Sequence, residues 1–178
     1  MDMPLRPLLV LLLSFPALAR AQNTPIPPVH ATAFSGEQID LPQGLHGHSA
    51  VLIVSFSQSS RDAVTLWGRR LAADYLDSPT VLYYEMPVLA AVPRLLRSMV
   101  LNKIKDSVPP RAQPRFVPVL DHEDEWKSAA GFSKQTPDED AYLLLVDSNG
   151  IIRFREPAGS PTDQTYADLK HRLEELHP

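Results

Sequence analysis

Serine, histidine and acidic residues cluster at three points where they could do chemistry. Ser59, Ser60, Arg61 and Asp62 stand together in a polar stretch that follows an apolar run. A serine hydroxyl becomes a nucleophile only beside an aligned base. The neighbouring sequence supplies no His–Asp pairing, and helix capping accounts for both serines. Arg61 could help hold an anion beside the N–H groups of a helix start, or pair with Asp62 as a solvated first-turn residue. His46-Gly47-His48 and Asp121-His122-Glu123-Asp124-Glu125 offer imidazoles and carboxylates, which suit zinc, copper or nickel. Neither run shows a recognised ligand spacing or the three or four ligands a site requires, so no metal and no cofactor are expected. The acidic run reads instead as a polar helix start, with Asp121 or Asp124 as cap and Trp126 turned inward. Against these possibilities stands an absence. The chain contains no cysteine, which leaves no thiolate for redox chemistry and no disulfide framework.

Composition narrows the class. A formal net charge of -4 and a hydrophobic content of 44% in 178 residues describe an ordinary globular domain. With an acidic balance, nucleic acid is not an expected partner. At the N-terminus Arg6 precedes the run Leu8-Leu9-Val10-Leu11-Leu12-Leu13. That run is too short to cross a hydrocarbon core of ~30 Å. Ala17-Leu18-Ala19 and Ala19-Arg20-Ala21 then present the small-x-small pattern of a cleavage site, so the segment has the layout of a secretory signal. The expectation is export to the periplasm or cell envelope after cleavage near Ala19 or Ala21, with an uncleaved anchor as the alternative. Residues 1–21 are then a signal peptide, residues 22–42 a proline-rich tether and residues 43–178 the folded domain. Pro25-Ile26-Pro27-Pro28 favours extended polyproline structure in the tether.

Residues 51–54, Val-Leu-Ile-Val, form an unbroken apolar run that suggests a strand covered on both faces. The stretch from Ser59 to Asp62 fits a capping-box start for the next helix, in which Val64, Trp67 and Leu71 recur at helical spacing. Thr80-Val81-Leu82-Tyr83-Tyr84 reads as a second strand, so the three elements predict a βαβ unit with parallel strands. Leu89, Val92, Leu96, Met99 and Val100 keep helical spacing, with Pro93 in the first turn. Four prolines at 109, 110, 114 and 118 then obscure any period. Residues 116–120 could be a strand that Pro118 restricts to an edge. Residues 142–146 and 151–154 predict a β-hairpin, with Asn149-Gly150 supplying positive-φ residues. Ser160-Pro161-Thr162-Asp163 opens a last helix whose buried face carries Tyr166, Leu169, Leu173 and Leu176.

The segment AYLLLVDSNGIIRF, residues 141–154, resembles the "fLVDsdGkI" hairpin of the peroxiredoxin and alkyl-hydroperoxide-reductase branch of the thioredoxin-like superfamily. With residues 50–71 it covers the core landmarks. The resemblance implies an α/β, thioredoxin-like three-layer fold, a mixed central sheet flanked by helices, with a helical and proline-rich insertion. It also puts the reactive cysteine of such proteins within residues 58–61, where this chain has no thiol. The proline such proteins carry in cis just before the hairpin is replaced by Asp138-Glu139-Asp140. Familiar thiol-disulfide or peroxidase chemistry is therefore not expected. In outline the chain is also similar to the thioredoxin-like mitochondrial assembly factor for the ATP-synthase membrane sector, including the step Ile152-Arg153-Phe154. That similarity implies a protein that holds a partner and turns over no substrate.

The expected function is binding of a protein partner, through Gln58, Ser59, Ser60, Arg61, Arg94, Arg97, Tyr142 and Arg153. The competing expectations are a non-thiol enzyme or a small-molecule, haem or metal carrier, for which His46 and His48 would be the residues to change. Arg94, Arg97, Lys103 and Lys105 give one helix a basic side. That side could meet an anionic lipid surface or an acidic partner if Leu95, Leu96 and Met99 are exposed. Otherwise it is an amphipathic helix packed on the sheet.

Overall fold

The computed structural model describes residues 23–176; the signal-peptide expectation, with its cleavage near Ala19 or Ala21, lies outside the described residues. Among the described residues seven strands and four α-helices follow in order: β1 (Thr24–Pro25), β2 (Val29–Thr32), β3 (Gln38–Leu41), β4 (Ser49–Ser55), α1 (Arg61–Tyr75), β5 (Val81–Pro87), α2 (Arg94–Ser107), α3 (Glu123–Ala130), β6 (Ala141–Val146), β7 (Ile151–Ala158) and α4 (Asp163–Glu175). The main sheet has the order β1-β7-β6-β4-β5. β4 and β5 are parallel and joined through α1, while β6 runs antiparallel to both β4 and β7. Every residue of β4 is buried, as its unbroken apolar run requires.

Alternation along the strands divides the core in two. Val51, Ile53, Tyr83, Leu143 and Leu145 face α1 and α4, which answer with Trp67, Leu71, Tyr166, Leu169 and Leu173. Leu52, Val54, Tyr84, Met86 and Leu144 face the other way, onto Trp126 of α3 and the β2–β3 hairpin. The three layers agree with the expected α/β architecture.

The loop-like reading of residues 22–42 fails. β1 pairs with β7 along the sheet edge, and β2–β3 closes as a hairpin. Ile26, Val29, Phe34, Ile39 and Leu41 are buried, and Phe34 stacks on Phe116 at 5.0 Å between ring centres. Apolar side chains spaced between the prolines find a sheet face that local sequence does not reveal.

Residues 116–120 form no strand of the sheet; they run along the outer edge of β5 through isolated bridges at Phe116 and Val119. Val117 and Val119 donate their N–H groups to Glu85 and Pro87 carbonyls at 2.9 Å each. Pro118 sits between the two donors, where a missing N–H costs no ladder bond. α2 starts later than its apolar period suggests, with Pro93 as the residue before its first turn and Leu89 and Val92 in the preceding loop.

Three caps also differ from expectation. Ser60 precedes α1 without capping it. His122, in a left-handed conformation, precedes α3 in place of an aspartate cap. Thr162, and neither Ser160 nor Pro161, caps α4 in a reciprocal box with Thr165.

Candidate functional site

The C-terminal end of β4 opens into residues 56–60 and then the first turn of α1. Here the chain must turn from a fully buried strand into a helix, and short side chain–backbone bonds make that turn. Ser57 Oγ accepts from the Ser59 N–H at 3.0 Å, and Ser60 Oγ donates to the Ser57 carbonyl at 2.8 Å. Ser60 is fully buried and its hydroxyl is committed to this turn. Among the described residues no hydrogen bond links Ser59 or Ser60 to a histidine, so neither serine has the base a nucleophile requires. Gln58, Ser59 and Arg61 stand exposed on this turn, and among the described residues no ion pair joins Arg61 to Asp62.

The opposite wall comes from the loop between α3 and β6. Register places it there: Tyr142 pairs with Val54, at the same end of the sheet as the β4–α1 turn. Tyr142 itself is 3% exposed, and its phenol oxygen accepts from the Ser133 N–H at 3.5 Å. Its ring packs edge-on against Phe56 at 5.6 Å, and Phe132 meets both at 5.4 and 5.9 Å. The Lys127 ammonium lies 5.2 Å from the Phe132 ring and pairs with Glu123. This aromatic cluster ties the β4–α1 turn at Phe56 to the loop before β6 at Phe132.

The remaining expected residues divide. Arg97 donates to the carbonyls of Ala90 and Val92 at 2.9 and 3.0 Å, so its charge closes the turn that leads into α2. Arg94 begins α2, beyond the loop that leaves the same end of the sheet, where the Val88 N–H reaches the Ser55 carbonyl. Arg153 stands at the opposite end, beside the β6–β7 turn, and is bound to Asp147 and to Asn23. Of the eight residues expected to meet a partner, three are together and exposed, two are buried supports, and Arg94, Arg97 and Arg153 lie elsewhere or serve the backbone.

Sequence reading missed Glu85. It lies in β5, 7% exposed, with its carboxyl against Gly68 of α1, and makes no side-chain hydrogen bond or ion pair among the described residues. Burial pushes its carboxyl up to about 8, because an apolar surround penalises the charged form. The signal available was an acid inside an apolar strand, hidden when that strand is ended at Tyr84. Phe56 and Phe132 were missed because nothing local pairs them across 76 residues.

The histidine and acidic runs do not converge. His48 Nδ1 bonds the Leu45 carbonyl at 2.8 Å, near the start of β4, and His122 pairs with Glu125 at 3.0 Å beside α3. Among the described residues no three of His, Cys, Asp and Glu form a metal-holding group. A cavity of about 380 Å³ lies at the C-terminal end of α1, lined among others by Glu37, Asp77, Tyr84, Arg111 and Arg115. It is polar, unlike the apolar pocket a haem carrier needs.

No family model matches the chain, and no curated protein matches it. Solved structures do. A SCO1/SenC family lipoprotein from Bacillus anthracis superposes with a TM-score of 0.53 at 15% identity, covering 91% of this chain and 100% of that one. BsSco, a member of the Sco family of cytochrome c oxidase assembly proteins, gives 0.57 at 13% identity, with 88% and 95% covered. The thioredoxin domain of a thiol-disulfide oxidoreductase from Bacteroides vulgatus gives 0.56 at 14%, with 85% and 96% covered. With its five-stranded mixed sheet between helices, and its polar turn after the central parallel strand, this chain has the thioredoxin-like fold.

Proposed function

We propose that the chain is an exported, redox-inactive thioredoxin-like protein that binds an extended segment of a protein partner, as an assembly or chaperone-like factor. The carrying observation is the edge formed by Gln58, Ser59 and Arg61. These residues are exposed where the fold family holds its thiol, and the neighbouring Ser60 hydroxyl is spent on the Ser57 carbonyl. A chain without cysteine has no thiolate to offer there. What the edge offers is an amide, a hydroxyl and a guanidinium on a turn braced by the aromatic cluster, a combination suited to backbone and polar contacts with an extended peptide. Export follows from the signal-like layout of residues 1–21. An assembly role draws support from the similarity to BsSco, whose family is one of cytochrome c oxidase assembly proteins, and from the outline shared with the mitochondrial assembly factor. The peroxiredoxin likeness rests on the hairpin motif of residues 141–154 alone.

Affinity capture from the organism's own cell envelope tests the reading. One protein recovered at stoichiometric level with the unsubstituted chain, and lost with Arg61→Ala, is the expected result. Recovery of nothing specific, or hydrolytic turnover that disappears in Ser59→Ala, would sink it. The second reading, a small-molecule binder, is favoured by the 380 Å³ cavity with its Arg111, Arg115, Glu37 and Asp77. Its chemistry suits a small polar ligand carrying charge of both signs, and a stoichiometric small molecule released on denaturing the purified chain would favour it over the first.

A further inference from the structure

Four large hydrophobic side chains are exposed among the described residues, and three of them lie within about one turn of α2: Leu95 at 94%, Met99 at 62% and Leu96 at 46%. α2 buries none of its side chains, so these residues are not the fringe of a core stripe. At 3.6 residues per turn, Leu95 and Met99 stand together at the centre of the outward face. Leu96 and Lys103 flank them on one side, Arg94 and Lys105 on the other. The partly buried Arg97, Val100, Leu101 and Ile104 fall on the inward side.

Charge concentrates in the same segment. Residues 94–115 carry six cations and one acid, in a chain whose formal net charge is -4; the acid, Asp106, is exposed on the outward face two turns beyond Met99. Arg97 and Arg115 are engaged with backbone carbonyls. Arg94, Lys103 and Lys105 make no ion pair among the described residues and stand exposed around Leu95 and Met99. Helix stability does not account for Arg94, because the N-terminal end of the macrodipole disfavours a cation.

We propose that the outward face of α2 docks on an anionic lipid surface, with Leu95 and Met99 entering the acyl boundary and Arg94, Lys103 and Lys105 lying against the headgroups. A convex helical face with protruding apolar residues ringed by long cations is the pattern of an interfacial helix. A stable protein interface buries roughly 800 Å² per partner, far more than three side chains near one helical turn present. Lipid requires no shaped complement: each inserted side chain and each cation near the surface adds to binding separately.

Co-sedimentation of the purified full chain with vesicles of mixed phosphatidylglycerol and phosphatidylcholine, and with phosphatidylcholine alone, tests this. The chain should partition onto the anionic vesicles in preference to the neutral ones, and added salt should reduce that preference. Lys103→Gln with Lys105→Gln, and separately Leu95→Gln with Met99→Gln, should each weaken partitioning onto anionic vesicles about tenfold. Thermal unfolding should not move in either variant, since all four side chains are exposed. Equal pelleting with neutral and anionic vesicles, or variants that partition like the unsubstituted chain, would overturn the proposal. Retention by an acidic polypeptide with no retention by vesicles would also overturn it and assign the face to a protein. None of these outcomes depends on the edge at Gln58 and Arg61.

Discussion

Glu85 is the residue whose chemistry the fold alters most. Its carboxyl, raised to about 8 from an ordinary 4.5 by burial, keeps a proton in the folded chain that the unfolded chain releases. The contribution of Glu85 to folding stability is therefore fully present below pH 4.5 and is lost as pH rises through the window from 4.5 to about 8, by at most ~1.4 kcal/mol per pH unit. Glu85→Gln keeps the shape and removes the titration. Urea unfolding at pH 5 and pH 8 should show the variant gaining on the parent at the higher pH; a gap that does not widen would refute the assignment. Gly68 sets a related test. A methyl group there would overlap the Glu85 carboxyl. Alanine favours the helix by about 1 kcal/mol, but overpacking costs about 1–3 kcal/mol, so Gly68→Ala should destabilise the chain. In a Glu85→Ala background the same change should be neutral or stabilising, and a double-mutant cycle measures the coupling. Neither effect is legible in the sequence, since Gly68 and Glu85 meet only because α1 crosses β5.

Among the elements, the β6–β7 turn shows how far local signals reach. Asp147, Asn149 and Gly150 mark a reversal from sequence alone, but only Gly150 takes a positive φ, +79°, and Asn149 does not. The Asp147 carboxylate accepts from the N–H groups of Asn149 and Ile151 at 2.9 and 3.0 Å and supplies the turn by another route. Gly150 is also required by its neighbour, because a Cβ there would overlap the Pro42 ring. Gly150→Ala should cost about 2–5 kcal/mol, the sum of left-handed strain and overpacking, read as a lower urea midpoint at unchanged m-value. α4 offers a smaller check: Thr162→Ala removes the box with Thr165 and should cost about 1 kcal/mol, in contrast to Ser160→Ala, which should cost little. α2 looked from its period like a helix that either packs on the sheet or presents its apolar residues. The structure favours the second reading, because the residues that complete its apolar stripe, Leu89 and Val92, lie before its first turn.

For the whole molecule, the segment before β4 matters most. Leu41 and Leu45 are fully buried, and burial of two leucines is worth about 3–6 kcal/mol against a total stability of roughly 5–15 kcal/mol for an ordinary domain. A chain that lacks residues 24–45 should therefore lose its cooperative thermal transition, which calorimetry would detect; an unchanged transition would mean that this segment is the tether its prolines suggested. The absence of a thiol, the buried strand at residues 51–54, the βαβ order and the final helix could all be read directly from the chain, because they rest on residue chemistry and on periods of a few residues. The shared edge of Gln58, Ser59 and Arg61, the aromatic cluster of Phe56, Phe132 and Tyr142, the proton on Glu85 and the burial of Ile26, Val29, Phe34, Ile39 and Leu41 could not. Each depends on surfaces contributed by segments far apart in the chain, and burial, which sets both packing and charge state, exists only once those surfaces have met.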